Sequence, residues 1–301
     1  MNAQRFIDKI QSQIIAGLIR ALGVLPLFLN QLFGLLLGLL LFIFPNETKK
    51  TTRINLKHCY PEKSTQSLIF LLIQSLIHQA QMMTSFCYIW CQPHERIKKI
   101  IKEIEGEEAL INALAQKSGV LLLLPHLGNW ELVNHYLISK TEINALYRPA
   151  KIKAVDELIF KGRSLPSTHM FPTNLSGVRK LYQSLKQGKT AVILPDQQPE
   201  SKGGQFVPFF GIPAYTAVLT AKIIQDTQPK CLAIFSIRLK YDQYKIILKE
   251  VDSNLYDADI AQSLTALNRT VEACIEYCPG QYLWGYKRFK KRPEENQDFY
   301  K

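Results

Sequence analysis

The stretch GVLLLLPHLGNWEL, residues 119–132, sets an all-aliphatic run directly against a histidine, a Gly-Asn pair, a tryptophan and a glutamate. Four successive leucines leave no polar face, so the run reads as a strand covered on both sides, as in the middle of a parallel sheet. TAVILPD at 190–196 is a second buried strand, and INALYRP at 143–149 a third, closed by its proline. Helical spacing separates the strands at residues 106–117, from 129, at 152–162, over VRKLYQSLKQG and over TAVLTAKIIQDT. Strands CLAIFSIRL and YKIILKEV and a helix at 259–277 follow, while a long helix spans 64–90. IKKIIKEIEG fits a strand or a helix, RSLPSTHMFPTNLSG reads as irregular, and QQPESKGGQFVPFFGIPAY as a long apolar loop. Strands alternating with helices predict an α/β fold: a mixed, largely parallel sheet flanked by helices.

The N-terminus adds a second constraint. No charge falls between Arg20 and Glu47, and Pro26 interrupts any helix early. A helix over Leu27–Phe44 would rise about 27 Å, against a hydrocarbon core of about 30 Å. It is long enough to span or to lie deep in one leaflet, and PNETKK offers no small-residue cleavage site. The expectation is a retained N-terminal membrane helix in an anchoring segment, 1–46, followed by one catalytic domain, 47–301. Basic residues flank the interval on both sides, with a slight excess after it that favours a cytoplasmic catalytic domain.

The chain has 301 residues and a formal net charge of +12, which directs attention to anionic partners. A nucleic-acid-binding protein is one reading of the charge, but no binding motif accompanies it and an apolar anchor suits it poorly. The six cysteines include two C-x3-C pairs in apolar helical surroundings, and they read as reduced thiols without zinc-site spacing. No metal or cofactor is implied.

His126 and Glu131 are the candidate catalytic pair. Five positions on a regular helix would set them about 140° apart. They meet only if His126 sits on the strand-to-helix turn and Glu131 in the helix's first turn. Gly128 would supply the flexible backbone there and Asn129 the N-cap. A carboxylate bonded to one imidazole nitrogen leaves the other as a base of fixed tautomer. The alternative is a cap beside an ordinary turn histidine. Arg148, then Asp196 and Gln197, stand just beyond other strands, where α/β sheets place ligand chemistry.

With INLKHCYPE, PHLGNWE, LYRP, LPDQ, FVPFFGIPAYTA and YLWGYKRFKKRP in this order, nearly the whole chain resembles the late acyltransferases of lipid A biosynthesis. These belong to the lysophospholipid acyltransferase superfamily. The resemblance implies a glycerolipid-acyltransferase-like fold, and its His-x4-Asp/Glu motif falls on His126 and Glu131. It implies transfer of a fatty acyl group from an acyl-carrier-protein thioester to a hydroxyl of a 3-hydroxyacyl chain on a lipid A precursor. It implies the cytoplasmic side of the cell inner membrane as the place. No Gly-x-Ser-x-Gly elbow is present, so direct transfer without an acyl-enzyme is expected.

Arg148, and Arg163 in KGRS, are expected either to grip the acceptor's phosphates or to pair with surface acids. Backbone N–H groups near Gly128 or Arg163 are candidate oxyanion donors. Asp196 suits sugar hydroxyls or a structural bond to a cation, with Gln197 as a substrate contact beside it. Phe206, Phe209 and Phe210 would line an acyl slot or be core. Arg288, in the basic run beside Trp284 and Phe289, would meet lipid headgroups or form a solvated tail. Competing readings are an acyltransferase for another membrane glycolipid, such as phosphatidylinositol mannoside, and a membrane-bound thioesterase or lipid hydrolase.

Overall fold

The computed structural model describes residues 3–199, 203–240, 242–294 and 298–301. Four helices come first: α1 (Ala3–Val24), α2 (Leu27–Ile43), α3 (Glu47–Cys59) and α4 (Thr65–Cys91). Asn46 and Ser64 cap α3 and α4, each side chain accepting a first-turn N–H, from Lys49 and Ser67. Gly34 and Gly38 let the α2 backbone press on α4. A Cβ at either would come within 2.6 Å of the Gln81 Cα or 2.4 Å of the Ile77 Cα.

Polar side chains pin this seam. Gln31 donates to the Gln81 carbonyl at 3.3 Å, Gln81 donates to the Gln31 carbonyl at 3.0 Å, and Thr84 donates to the Asn30 carbonyl at 3.1 Å. The expectation of an N-terminal membrane helix finds no single spanning helix to support it. Among the described residues no single helix is long and apolar enough to cross a membrane; α2 and α3 together have the length but bend by 78°. One face of α2 lies on α4, and the other remains exposed and apolar.

The remaining elements are α5 (His94–Lys98), β1 (Ile101–Glu105), α6 (Glu107–Ala115), β2 (Val120–Leu123), α7 (Glu131–Leu137), β3 (Ile143–Tyr147), α8 (Lys153–Arg163) and β4 (Thr168–Pro172). There follow α9 (Leu175–Lys186), β5 (Thr190–Ile193), β6 (Gly204–Phe209), β7 (Ile212–Ala217), α10 (Leu219–Thr227), β8 (Lys230–Lys240), β9 (Gln243–Glu250) and α11 (Ile260–Tyr277). Seven strands form one sheet in the order β1-β9-β8-β2-β5-β3-β4, parallel throughout except where β9 runs against β8. One apolar layer packs α6 and α7 onto the sheet through Leu110, Val133 and Leu137; the other packs α9, α10 and α11 through Leu185, Ile223 and Leu264. The expected α/β fold with a largely parallel sheet is what forms.

Two stretches depart from expectation. The irregular segment holds β4, an edge strand paired only with β3, where Pro172 removes no needed donor. The apolar loop holds the β6–β7 hairpin, turned by Phe210 and Gly211 at φ +49° and +73°. Such left-handed pairs suit a two-residue hairpin turn. Prolines at 208 and 213 face each other across it, and they hid the ribbon from pattern reading.

β2 and β5 are the centre of the sheet. The chain leaves β2 towards β3 on one side and leaves β5 towards β8 on the other, so a topological switch point lies between them. Crevices outside the carboxyl ends of strands at such points are where open α/β sheets bind ligands.

Candidate active site

The two strands at the switch point end in register, Leu123 opposite Ile193. His126 and Asp196 each stand three positions further on, and the matched offset brings them together. The ring Nδ1–H of His126 donates to Asp196 Oδ1 at 2.7 Å, and the His126 backbone N–H donates to Oδ2 at 2.9 Å. Burial alone would raise the Asp196 carboxyl, but the charge and hydrogen bonds of His126 outweigh it and hold the carboxyl below its ordinary value. Tyr282 backs the same carboxylate; burial and the Asp196 charge push its hydroxyl well above the usual phenol value. With Nδ1 protonated, Nε2 carries the lone pair and accepts from the Gln197 amide at 3.2 Å. Trp130 stands edge-on to the imidazole, with centroids 4.7 Å apart.

The turn carrying His126 is clamped on both sides. The Leu283 N–H donates to the His126 carbonyl at 3.1 Å and the Gly128 N–H to the Gln281 carbonyl at 2.9 Å. Gly128 adopts φ +60°, and a Cβ there would sit 1.6 Å from the Ser236 carbonyl oxygen, so only glycine fits.

Glu131 does not partner His126. It opens α7 as expected, but its buried carboxylate accepts a two-point bond from Arg163: Nε to Oε2 at 3.0 Å, and Nη2 to Oε1. The planar fork of arginine matches a carboxylate better than an imidazole does. The β2–β5 register meanwhile supplies His126 with Asp196. Burial works against the Arg163 charge, yet Glu131 keeps it above its ordinary pKa.

Other candidates divide. Arg148 and Arg163 both line the crevice that holds His126 and Glu131. Asn129 is turned away from it: its side chain donates to Ser85 at 3.0 Å and caps no helix, while its backbone N–H donates to Ser236. Phe209 is fully buried against Phe210, Tyr282 and Phe289, which makes it core and not an acyl slot. Arg288 is only 3% exposed and donates to the Tyr215 carbonyl and Thr216 at 2.8 Å each. With Trp284 and Phe289 buried beside it, Arg288 ties the hairpin to the C-terminal segment and does not face headgroups.

The apolar lining comes from residues that pattern reading treated as plain core. A cavity of about 340 Å³ runs between α7 and the strands β3 and β5. Its charged end, at the carboxyl edge of the sheet, holds His126, Glu131, Arg148 and Arg163; Val133, Leu137, Ile143, Ala145, Met170 and Val192 line the rest. From Arg148 back to Ile143 the strand covers about 16 Å. An imidazole bonded through Nδ1 to a buried carboxylate thus stands at the mouth of an apolar slot, beside a guanidinium held by a second buried carboxylate. Among the described residues no group of three metal-ligating side chains occurs.

Residues 5–291 match the family model described as bacterial lipid A biosynthesis acyltransferase. Curated relatives include the Escherichia coli (strain K12) lipid A biosynthesis lauroyltransferase, 27% identical over 262 residues that cover 86% of this chain and 84% of the relative. The palmitoleoyltransferase of the same organism is 25% identical, covering 89% of this chain and 87% of its own length. Its myristoyltransferase is 22% identical, covering 84% and 78%.

Proposed function

The chain belongs to the bacterial lipid A biosynthesis acyltransferases and is an O-acyltransferase, and from that premise we propose a specific reaction and mechanism. A fatty acyl chain moves from an acyl-carrier-protein thioester directly to a hydroxyl of a 3-hydroxyacyl chain on a lipid A precursor. The reaction takes place at the cytoplasmic face of the inner membrane. The observation that carries the mechanism is the 2.7 Å bond between His126 Nδ1 and Asp196 at the charged end of the apolar cavity, which leaves Nε2 as the nitrogen free to act as base.

The acceptor hydroxyl replaces the Gln197 amide at Nε2. Nε2 takes the hydroxyl proton as the oxygen attacks the thioester carbonyl, forming the C–O bond. The imidazolium is stabilised by Asp196, as the carboxylate does in a Ser-His-Asp triad. Collapse of the tetrahedral intermediate breaks the C–S bond, and the departing thiolate takes the proton back from Nε2. Glu131 holds two of the N–H groups of Arg163 and leaves the others for the oxyanion or for an acceptor phosphate. The transferred chain occupies the cavity between α7 and β3.

Purified full-length protein in detergent, given acyl-carrier thioester and lipid A precursor, should yield a product heavier by one acyl chain in mass spectrometry. His126→Ala should lose transfer by about 10²–10⁴-fold. Accumulation of acylated protein with donor alone would overturn direct transfer, and release of free fatty acid without acceptor would indicate a thioesterase.

A further inference from the structure

A second cavity, of about 490 Å³, lies far from the switch point, where α2 turns into α3. Its wall carries Lys49, Lys50, Arg53, Lys57, His58 and Phe299. Lys50, Arg53 and Lys57 recur at helical spacing on the exposed face of α3, while Thr51, Thr52, Asn55 and Leu56 face inward. Among the described residues, none of these three is within salt-bridge distance of an acid. The nearest carboxylate along α3, Glu47, is engaged by Lys287 at 3.1 Å. Lys49 is fixed on the Phe42 carbonyl and over the Phe42 ring, and His58 packs on Phe299 with centroids 4.5 Å apart.

Next to this basic wall is an apolar one. Leu36, Leu40, Ile43 and Phe44 are 53%, 48%, 64% and 60% exposed, and they form an apolar stripe along α2 and its C-cap, Leu40 and Phe44 flanking a groove shared with α4. An apolar helix face that runs into a basic helix is the pattern of a segment lying in a bilayer interface, with its cations at headgroup depth. An acidic protein partner would account for the cations but not for the apolar stripe beside them.

We propose that the α2–α3 corner is a docking site for anionic phospholipid. Lys50, Arg53 and Lys57 take headgroup phosphates, and the exposed stripe of α2 enters the same leaflet. Such contacts set the orientation of the protein on the membrane and present the charged end of the catalytic cavity to lipid-borne acceptor. The surface does not depend on the catalytic reading.

The test is flotation of the full-length protein with vesicles of phosphatidylcholine alone or mixed with phosphatidylglycerol, at matched ionic strength. Wild type should prefer the anionic vesicles by about 10²-fold, on the scale of three surface cations. Lys50→Glu/Arg53→Glu/Lys57→Glu should abolish the preference while leaving transfer to detergent-dispersed acceptor within about twofold of wild type. The corresponding triple Gln variant, with a native melting temperature, guards against misfolding and should lose most of the preference. Equal binding of wild type to both vesicle types, or full retention of the preference by both variants, would overturn the proposal. So would its abolition by millimolar inorganic phosphate but not by chloride, which would make free phosphate the ligand. Unchanged flotation with a raised KM for the carrier thioester would assign the basic face of α3 to an acidic protein instead. A wild type that floats on anionic vesicles yet transfers no acyl chain would sink the catalytic reading and leave this one standing.

Discussion

Both carboxylate oxygens of Asp196 accept from one residue: Oδ1 from the His126 ring at 2.7 Å and Oδ2 from the His126 backbone N–H at 2.9 Å. Two bonds to a single partner fix the imidazole plane as well as its tautomer. The arrangement joins the ends of the two central strands, so ring orientation and sheet register are one geometric fact.

This geometry separates two possible dyads. Asp196→Asn should lower kcat/KM by about 10²–10⁴-fold, and adding His126→Ala should cost little more, because groups acting as one unit are strongly non-additive. Double-mutant kinetics with Glu131→Gln give the contrast. The His126 and Glu131 losses should combine far closer to multiplicatively than those of His126 and Asp196. Non-additivity confined to His126 and Glu131 would restore the pairing expected from the His-x4-Glu motif.

The Glu131–Arg163 pair is unevenly buried, at 4% and 34% side-chain exposure. Removing the arginine strands a buried carboxylate, whereas removing the carboxylate leaves a guanidinium that water can reach. Arg163→Ala should therefore destabilise the protein more than Glu131→Ala, by up to about 3 kcal/mol, since partial exposure discounts the usual cost of breaking a buried pair. Thermal unfolding of the two variants decides it, and equal or reversed losses would show that the pair is not held as described.

Much of this site was legible in the sequence, and the illegible part has a physical reason. His126, Asp196, Arg148 and Arg163 stand at strand or helix ends that periodicity locates. The partner of His126 does not follow from periodicity, because it depends on β2 and β5 being neighbours in register although 70 residues separate His126 from Asp196. The His-x4-Glu motif favoured Glu131, a carboxylate close by in the chain. The β6–β7 ribbon was hidden by its prolines, and the basic C-terminal run was taken for surface because charge count says nothing about a buried Arg288. The apolar α2 was read as a membrane anchor, because the glycines and the glutamine that dock one of its faces on α4 do not set it apart in sequence from a helix surrounded by lipid.

The cavity gives a prediction for donor preference. Ala145 lies on β3 midway between Ile143 and Tyr147 and lines the apolar wall. Ala145→Phe should shorten the accessible slot and shift preference towards shorter acyl chains. Each excluded methylene forfeits about 0.8 kcal/mol, roughly fourfold in kcat/KM. Rates across a series of saturated acyl-carrier thioesters measure this. An unshifted length profile in a folded variant would place the transferred chain elsewhere.

His135, one turn after Glu131 on α7, is buried and stands with its Nδ1 3.1 Å from that of His94, the two rings stacked. Burial first and then the neighbouring His94 depress its pKa to about 4, with Glu131 opposing them. The unfolded chain's histidine titrates near about 6.5. Because the folded value is the lower one, the unfolded state binds a proton first as pH falls. The stability tied to the neutral ring is therefore complete above about pH 6.5 and is lost as pH drops towards 4. The loss amounts to about 3 kcal/mol at most. His135→Gln, which cannot titrate, should flatten the fall of melting temperature across that window relative to wild type, with the curves parallel above it. Parallel curves throughout would mean that the His94–His135 contact does not hold His135 neutral.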